Sequence, residues 1–367
     1  MIKPFHILDI LLGLKRSFTK REGAGNGVLL ISAGGLGDTV LFSLIAKRFA
    51  SVARDGEPVT ILLRNDAAKM AFLLPKNIGL EIVNFNDLRK SLGYRRKIAN
   101  RLFRAHYRLI ITTDQLRHPG LDEALIELAA PDEAIAMEPR SWPKYDAALK
   151  NNRQLYSRLF DSGPDKTDKV VRWNKFANWL TGKDELAPRI RIDMETSPGE
   201  SPDVLIQPFS AVALKQSPVA LYQRLIEALP DGLSVAITGA PGDLNANPEY
   251  KQLLELPNVT FNSSTFQDLA PALKAAKLVI SVDTAAMHLA VALGAPTLCL
   301  ASAAYVGEIV PYAAEITPDN AHVIYHSMEC EGCLGKCHLE PVDDMYPCVA
   351  ALDIEKVIAL TRELLAP

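Results

Sequence analysis

Hydrophobic positions in this chain alternate between short continuous runs and longer segments with helical spacing. Val28–Ser32 (VLLIS) is a continuous apolar run that ends in a glycine-rich turn, and apolar residues then recur from Val40 to Phe49 with the spacing of one helix face. Such a sequence predicts a strand, a tight turn and a helix. Residues 59–63 and Leu109–Thr112 look like further buried strands separated by helical stretches. Strands that alternate with helices predict a parallel sheet covered on both faces.

The same pattern restarts after a polar, proline-containing stretch at residues 196–203 (TSPGESPD), which predicts a linker. The apolar runs that predict strands in this half are Val204–Gln207, 234–238, 259–261, 278–281 and Thr297–Leu300. The periodic segments that predict helices are 221–229, 269–276, 287–293 and Ile354–Leu365. We therefore expect two α/β domains, residues 1–200 and 201–367, which face each other across a cleft and bind ligands at the carboxyl ends of their strands. The last helix either stays with the second domain or crosses back onto the first.

Composition and the N-terminal residues indicate whether the chain could span or contact a membrane. Apolar residues make up 48% of the 367 residues, as in an ordinary globular protein. No apolar run approaches the roughly 18 to 20 residues that a membrane-spanning helix needs. Residues 2–21 place an apolar stretch before their basic residues, the reverse of the order in a secretory signal. They predict either an interfacial amphipathic helix or a leading helix that packs on the first domain.

Charge is unevenly distributed along the chain. A net charge of −3 gives no case for nucleic-acid binding by the protein as a whole. Residues 89–108, however, carry eight Lys or Arg and no acid. If this run is helical, Leu88, Leu92 and Leu102 would face inward while the bases face outward. Such a basic face is either merely solvated or meets the phosphates of an acceptor or a membrane surface.

The first candidate site is the turn Gly34-Gly35-Leu36-Gly37-Asp38-Thr39. Glycines such as Gly35 and Gly37 allow a ligand close to the backbone, and the N–H groups at the start of the following helix, near Thr39, favour anions. The motif is not the dinucleotide-binding fingerprint. Asp38 has two interpretations: a first-turn acid that complements the helix dipole, or a general base at the mouth of the cleft.

The second candidate site lies in the C-terminal half. Lys215 follows a predicted strand, where a lysine can neutralise a departing diphosphate or can simply be a solvated loop residue. After strand 278–281, Asp283 or Thr284 predicts a helix N-cap. Capping does not explain why the next two side chains are small or why a histidine occupies the first turn, whereas a bound pyrophosphate would. The candidate donor-binding residues here are Asp283, Thr284, Ala285, Ala286 and His288.

Four segments together resemble glycosyltransferase family 9, the lipopolysaccharide heptosyltransferases. They are GGLGD, QPFSAVALKQSP, ITGAPGD and SVDTAAMHLAVALGAPT, in the order and spacing of that family. The resemblance implies the α/β fold class called GT-B, with two Rossmann-like domains facing across a cleft. It implies inverting transfer of a sugar, a heptose, from a nucleotide diphosphate donor such as ADP-heptose to a lipopolysaccharide core or a related anionic lipid-linked acceptor. It implies no catalytic metal or other catalytic cofactor, and a cytoplasmic protein that is soluble or peripheral on the inner membrane.

The resemblance also implies roles for individual residues. By position, Asp38 would be the base, Lys215 would hold the donor phosphates, and Asp243 would replace the acid that binds the donor ribose. Thr284, Ala285 and His288 would line the pyrophosphate and sugar site. This chain departs from the family at Ser217 and Ala285, where tryptophan and glycine are usual, and at residues 300–304 (LASAA).

Other functions remain open at this stage. The chain could be a nucleotide-sugar-binding subunit without catalysis, or a transferase with another donor or a protein acceptor. A GT-B-shaped epimerase would change the donor without any acceptor. The chain shows no obvious set of catalytic carboxylates beside the SVDT segment for such a reaction.

Four of the five cysteines form a cluster in the sequence, and Cys299 stands apart in an apolar strand. A cytosolic setting disfavours disulfides. Four thiols at this spacing predict either a structural zinc or iron site or free thiols in a loop. A metal there would lie outside the chemistry and brace the segment before the last helix; certain autotransporter heptosyltransferases have a similar iron-binding knuckle. The four candidate ligands are Cys330, Cys333, Cys337 and Cys348.

Overall fold

A computed structural model describes residues 4–195 and 201–366. The chain divides into two compact units. The first comprises the chain up to Asp165 together with Arg172–Leu186, and the second comprises Lys166–Val171 together with the chain from Ala187. The division therefore comes before the predicted linker, and residues 196–200 of that linker lie outside the described residues.

The first unit alternates strands with helices, as the hydrophobic pattern predicts. Its strands are β1 (Val28–Ser32), β2 (Val59–Arg64), β3 (Gly79–Val83), β4 (Leu109–Thr112), β5 (Glu133–Met137) and β6 (Arg158–Phe160). Its helices are α1 (Pro4–Ser17), α2 (Leu36–Ser43), α3 (Ala46–Ala50), α4 (Phe85–Lys90), α5 (Leu92–Ala105), α6 (Asp122–Ala129), α7 (Asp146–Asn152) and α8 (Lys169–Thr181), the last of which begins in the second unit. Short 3-10 turns lie at Ala67–Leu73 and Arg153–Leu155.

The six strands of this unit form one parallel sheet in the order β3-β2-β1-β4-β5-β6. Val28 of β1 pairs with Val59 on one side and with Leu109 on the other. All residues of β1 and β4 are buried, because helices cover both faces of the sheet, and this explains their continuous apolar runs. The chain builds outward from β1 to β3 and then returns to add β4 on the other side of β1. The strand order therefore reverses between β1 and β4.

The basic segment 89–108 forms the end of α4 and all of α5. The two helices are separated at Ser91, whose hydroxyl accepts the N–H of Tyr94 at 3.2 Å and caps α5. Leu88 and Leu102 are buried, as predicted. The prediction that Leu92 faces inward is wrong, because Leu92 is the first residue of α5 and its side chain is exposed.

The N-terminal helix α1 packs against α5 and α6 of the first unit. Its Asp9 accepts a hydrogen bond from Arg95 Nε at 2.7 Å, and Arg95 is fully buried. The expectation that all bases of this segment face outward is therefore wrong for Arg95, because its guanidinium also donates to the carbonyls of Leu88 and Gly120. Within residues 4–195 and 201–366, no helix is long and apolar enough to cross a membrane.

The second unit repeats the alternation of strands and helices. Its strands are β7 (Val204–Gln207), β8 (Val235–Thr238), β9 (Val259–Asn262), β10 (Leu278–Val282), β11 (Thr297–Leu300) and β12 (Ala321–Ile324). Its helices are α9 (Val219–Glu227), α10 (Asp243–Ala246), α11 (Phe266–Ala275), α12 (Ala285–Ala292), α13 (Pro347–Ala350) and α14 (Ile354–Leu365). Short 3-10 turns lie at Ala213–Lys215, Pro248–Glu255 and Ala303–Tyr305.

This second sheet is also parallel, in the order β12-β11-β10-β7-β8-β9. Ile280 of β10 pairs with Ile206 of β7 and with Leu298 of β11. The chain builds from β7 outward to β9 and then adds β10 on the other side of β7. The order therefore reverses between β7 and β10, as it does between β1 and β4 in the first unit.

The final helix, α14, packs on the second unit. Its Val357 is buried in the core of that unit, and Arg362 Nε donates to the carbonyl of Ala228 after α9 at 3.1 Å. Glu355 also pairs with Arg224 of α9. These contacts are made within the unit that contains the donor-site segments.

Candidate functional site

The turn after β1 lies where the strand order of the first sheet reverses, which is where open α/β sheets bind ligands. Asp38 stands in the first turn of α2, and its Oδ2 accepts the N–H of Gly35 at 2.7 Å. Thr39 Oγ1 donates to the carbonyl of Gly35 at 3.0 Å, while Gly37 lies within α2. Asp38 and Thr39 thus hold the turn, as the structural interpretation of Asp38 requires. Its role as a general base stays a prediction.

Gly34 is the position in this turn where a side chain would clash, whereas the sequence analysis emphasised Gly35 and Gly37. A Cβ at Gly34 would lie 2.5 Å from Asp38 Cβ and 2.7 Å from its Oδ2. A Cβ at Gly35 would meet only Asp38 Oδ2, at 3.9 Å. Gly34 is therefore the residue that lets the half-buried Asp38 side chain approach the end of β1.

Polar residues also follow β4, the neighbour of β1, and sequence analysis missed them. Thr113 Oγ1 donates to the carbonyl of Ile31 at 3.1 Å and joins the ends of the two strands. Trp173 Nε1 donates to the carbonyl of Thr113 at 2.9 Å. Asp114, the next residue, is buried. The signal was present in the sequence, because a polar run follows a predicted buried strand directly.

Acidic side chains predominate beyond the end of β4. Arg117 Nε and Glu123 Oε1 form a fully buried ion pair at 3.0 Å. Burial raises the pKa of Asp122 to about 7; the N–H of His118, which donates to Asp122 at 2.7 Å, opposes this shift, and the negative charge of Asp114 adds to it. Three buried carboxyl groups therefore follow β4, on Asp114, Asp122 and Glu123.

In the second unit, a buried cation stands where the strand order reverses. Lys215, at the end of the turn after β7, places Nζ 2.9 Å from Asp283 Oδ2 after β10. The same Nζ lies 4.7 Å from the centroid of the Tyr305 ring. Both charged side chains are buried, so Lys215 is not the solvated loop residue of the alternative interpretation. A desolvated cation beside a reversal point suits a phosphate ligand.

The helix that follows Asp283 begins without a capping side chain. Thr284 occupies the N-cap position of α12, as predicted, but its side chain makes no hydrogen bond to the helix, and its Oγ1 lies 3.3 Å from Ser281 Oγ. Ala285 is half-buried and Ala286 is buried. The first N–H groups of α12 are therefore bordered by small side chains, the arrangement by which helix N-termini bind anions.

His288 completes the first turn of α12 and points into the interior. It is buried, and its Nδ1 lies 2.6 Å from the hydroxyl of Tyr312. Burial raises the pKa of Tyr312, so this hydroxyl stays protonated. Tyr312 thus orients the imidazole. No spacing rule connects it with His288, and sequence analysis missed it.

Asp243 lies in the GAPGD turn after β8, beside β7. Its Oδ2 accepts the N–H of Ala240 at 2.7 Å, and the side chain is half-buried. A Cβ at Gly239 would lie 2.9 Å from Asp243 Oδ2 and 2.7 Å from the Phe209 ring. Asp243 thus stands at the same sheet edge as the turn that carries Lys215, and its contact with a ribose stays a prediction.

The four clustered cysteines lie close together in the second unit. Burial and then a hydrogen bond with Cys337 raise the pKa of the Cys330 thiol, and the neighbouring Cys333 and Cys348 raise it further. The thiols are free, and Cys299 lies apart in β11. Across residues 4–195 and 201–366, no group of three or more His, Cys, Asp or Glu side chains is arranged to hold a metal ion.

The cysteine-rich segment also touches the surroundings of Lys215, and the expectation that a metal there lies outside the chemistry stays a prediction. The N–H of Tyr346 donates to the carbonyl of Leu214 at 2.8 Å. The N–H of Ala303 donates to Cys348 Sγ at 3.4 Å, and Ala303 begins the short turn that ends with Tyr305. The segment therefore supports both the backbone next to Lys215 and the ring over its ammonium.

Solved structures resemble this chain over nearly its whole length. E. coli ADP-heptose LPS heptosyltransferase II has a TM-score of 0.66 and 15% identity, and the match covers 92% of this chain and 98% of that one. E. coli heptosyltransferase WaaC with ADP-2-deoxy-2-fluoro heptose has a TM-score of 0.63 and 18% identity, with 92% and 99% covered. The iron-containing dodecameric glycosyltransferase TibC from enterotoxigenic E. coli has a TM-score of 0.52 and 13% identity, with 94% and 77% covered. These likenesses confirm the predicted GT-B fold.

Sequence comparison gives the family. No curated protein matches this chain in sequence. The family model described as glycosyltransferase family 9 (heptosyltransferase), however, matches residues 138–339, more than half of the chain. The matched region contains Lys215, Asp243 and the start of α12 but not Asp38. The chain belongs to glycosyltransferase family 9, the heptosyltransferase family.

Proposed function

We propose that this protein is an inverting glycosyltransferase that moves a heptose from ADP-heptose to a lipopolysaccharide core or a related anionic lipid-linked acceptor. The observation that carries the proposal is the Lys215–Asp283 pair, which lies beside the uncapped start of α12 at the reversal point of the second sheet. A cation and free N–H groups at one sheet edge are what a nucleotide diphosphate requires.

The donor half of the reaction falls to the second unit. As the bond between the anomeric carbon and the diphosphate breaks, negative charge grows on the leaving oxygen. Lys215 and the N–H groups of Ala285 and Ala286 would stabilise that charge as fixed, partly desolvated donors. Asp283, whose Oδ2 lies 2.9 Å from Lys215 Nζ, would hold Lys215 in place before the donor arrives. These groups supply the positive charge that a divalent ion supplies in other transferases, so we propose that transfer needs no metal.

The acceptor half falls to the first unit. The acceptor hydroxyl must lose its proton as its oxygen attacks the anomeric carbon from the face opposite the diphosphate, and the Asp38 carboxylate would take that proton. Asp38 is held by the N–H of Gly35 at the reversal point of the first sheet.

The acceptor is proposed to be lipid-linked, so the enzyme would work in the cytoplasm at the inner membrane face. Two structurally similar proteins support ADP-heptose as the donor. One is an ADP-heptose LPS heptosyltransferase, and another was solved with ADP-2-deoxy-2-fluoro heptose. The same assay distinguishes the alternatives considered above. Release of a different nucleoside diphosphate would indicate another donor, and release that requires a protein in place of the lipid would indicate a protein acceptor.

The test begins with a donor screen by thermal shift, since a true donor raises the melting temperature by mass action. Purified protein is then incubated with the stabilising nucleotide sugar and a lipid A-core acceptor, and release of nucleoside diphosphate is measured with and without EDTA. We expect ADP release that depends on the acceptor and survives EDTA. Donor binding without turnover on any acceptor would support a non-catalytic subunit instead. Conversion of the donor without acceptor would support an epimerase.

We also propose that the four clustered cysteines hold a structural zinc or iron ion. Their sulfurs already neighbour one another, and Ala303 donates to Cys348 as a supporting contact of the kind that orients metal ligands. In the described geometry the thiols do not form a ligand set, so the ion would have to draw them together. Because Tyr346 and Tyr305 link this segment to Lys215, the ion would brace the donor site rather than take part in transfer.

Metal analysis of the purified protein tests this second proposal. We expect about one zinc or iron ion per chain in the natural protein and little in a Cys330→Ser/Cys348→Ser variant. Cys299→Ser is the matched control, because Cys299 is a buried thiol outside the cluster. The double variant should also bind ADP more weakly by calorimetry. Equal metal contents in all three proteins would refute the proposal.

A further inference from the structure

The N-terminal helix exposes an apolar stripe. Four of its large hydrophobic residues and the residue just after it are between 53% and 87% exposed. Two of them are adjacent, and the others follow at intervals of three or four residues, so they lie along a single broad face of the helix. The members of this stripe are Ile7, Ile10, Leu11, Leu14 and Phe18.

The opposite face of α1 is already used in the fold. Leu12 is buried against Ala99 of α5 and Leu128 of α6, and Phe5 is buried beneath the Arg95 guanidinium. The Asp9–Arg95 pair fixes the rotation of the helix about its axis. The stripe is therefore held facing outward by the packing of the other face.

Positive charge flanks the stripe. On the neighbouring helix α5, Arg96 stands one turn from Ala99 and Asn100, which contact α1. The exposed bases on α1, α5 and the residues after α1 are Lys15, Lys20, Arg96, Lys97, Arg101 and Arg104, of which Arg101 pairs with Glu81. The exposed acids nearby are Glu22, Glu127 and Asp132, so bases outnumber acids around the stripe.

We propose that α1 is an interfacial membrane anchor: its apolar stripe enters an anionic phospholipid bilayer while the flanking bases meet the lipid phosphates. The anchor would be the surface that makes the membrane contact proposed above. It rests on the proposed function only for the reason why the protein should be at a membrane. A large apolar face bordered by bases is the pattern of helices that lie in the plane of a membrane interface. The exposed bases of α5 are then the electrostatic part of the same surface.

The size of the stripe argues against a second copy of this chain as its occupant. A helix of this length is roughly 21 Å long and 10 Å wide. That footprint is well below the roughly 800 Å² per partner that a stable protein interface covers. Lipid requires no such area, since each inserted side chain adds to binding independently.

Vesicle co-sedimentation of the full-length protein tests the anchor. The partition coefficient is measured on vesicles of phosphatidylglycerol and phosphatidylethanolamine, and on phosphatidylcholine alone. Replacing two stripe residues, Ile10→Ser/Leu14→Ser, should lower it on anionic vesicles at least tenfold. Arg96→Gln/Lys97→Gln should lower it by roughly fivefold per charge on anionic vesicles and have little effect on neutral ones.

Two controls keep the result interpretable. Leu186→Ser changes a hydrophobic residue that is 90% exposed elsewhere in the first unit and should bind as the natural protein does. Ile10→Leu/Leu14→Ile keeps the stripe apolar and should also retain binding. Unchanged binding by Ile10→Ser/Leu14→Ser would overturn the proposal. The proposal would also be overturned if the natural protein were dimeric by light scattering and the Ile10→Ser/Leu14→Ser variant were monomeric with unchanged vesicle binding. Sugar transfer is not measured, so the anchor and the proposed activity can fail separately.

Discussion

Two turns of this molecule share one local design and differ in their place in the sheet. In the turn at residues 34–38 and in the turn at residues 239–243, an aspartate accepts the N–H of the residue after a glycine at 2.7 Å. In both, a Cβ on that glycine would come within 3 Å of the aspartate. The local sequences GGLGD and GAPGD thus build nearly the same turn.

The two turns differ in their position in the sheet and in the helix that follows. The first turn follows β1 at the reversal point of its sheet and opens the eight-residue helix α2. The second follows β8, one strand away from its reversal point, and opens the four-residue helix α10. The reversal point of the second sheet holds the Lys215–Asp283 pair instead. Local sequence therefore determines the turn, whereas position in the sheet determines which ligand the aspartate can meet.

The sharpest test of this difference is the same substitution in both turns. Asp38→Asn should lower kcat by about 10²–10⁴-fold, because an amide cannot accept the acceptor proton. Asp243→Asn should change kcat little and raise the KM for the donor by roughly tenfold, as loss of one ribose hydrogen bond would do. Initial rates of ADP release at varied donor concentration give both constants. Asparagine can still accept the turn N–H in each case, so both variants should melt near the natural protein.

The opposite result for the two aspartate variants would contradict the proposed difference between the turns. If Asp243→Asn abolished turnover while Asp38→Asn left kcat unchanged, the base would lie in the second unit and position in the sheet would not separate the two aspartates.

The buried cation at the second reversal point should have the next largest effect. Lys215→Met should lower kcat/KM by about 10²–10³-fold, because the diphosphate loses a fixed positive partner. It should also destabilise the protein, since it leaves Asp283 buried without its cation. Rates of ADP release and thermal melting measure the two losses.

A double variant separates catalysis from folding. Lys215→Met/Asp283→Asn removes both charges, so it should recover much of the lost stability but none of the activity. Recovery of activity together with stability would mean that Lys215 serves only the fold.

The sequence predicted the centre of each sheet better than its edges. β1, β4, β7, β10 and β11 are buried on both faces and read as continuous apolar runs. Three of the four edge strands, β3, β6 and β12, are partly exposed and lack such a run, so they were not predicted. The fourth edge strand, β9, was predicted from residues 259–261 although it is also partly exposed. β5 is central but reads EAIAM, whose small residues resemble a helix as much as a strand.

The site was predictable only where it depends on local spacing. The cap position of Thr284 and the turn at Asp38 follow from a strand that ends in small or polar residues. The Lys215–Asp283 pair joins residues far apart in sequence and needs the β7–β10 neighbourhood to be known first. Arg95 shows the limit most clearly, because Asp9 and the carbonyls of Leu88 and Gly120 are the partners of a buried guanidinium on a face that the sequence suggests is solvated.

The acids at the first reversal point predict an unusual pH dependence of stability. Folding raises the pKa of Asp122 from about 3.8 to about 7, so the folded state binds more protons than the unfolded state between these values. The free energy of unfolding should therefore fall as pH rises through this window and level off above it. In Asp122→Asn, this contribution disappears, while the amide oxygen can still accept the N–H of His118.

Urea unfolding at pH 5 and pH 8 measures the effect. Asp122→Asn should gain about 2 kcal/mol relative to the natural protein between the two pH values. Asp243→Asn, whose carboxyl is half-buried in the other unit, should show no such gain. Parallel pH profiles for Asp122→Asn and the natural protein would mean that Asp122 is ionised in the fold at neutral pH.

The smallest effects should come from the glycines that the two turns share, and they should differ in kind. Gly239→Ala would press on the ring of Phe209, which is buried in the core and cannot move, so we expect a loss of about 1–3 kcal/mol in stability. Gly34→Ala would place its Cβ 2.5 Å from Asp38 Cβ, so Asp38 could give way only by a shift of the α2 backbone, and stability should fall by a similar amount. The shift would move the proposed base, and kcat should fall by roughly tenfold or more. Gly93→Ala, which meets nothing within 4 Å in α5, is the control and should gain a few tenths of a kcal/mol. Equal rates for the two turn variants would show that the turns are equivalent and that Asp38 has no special place.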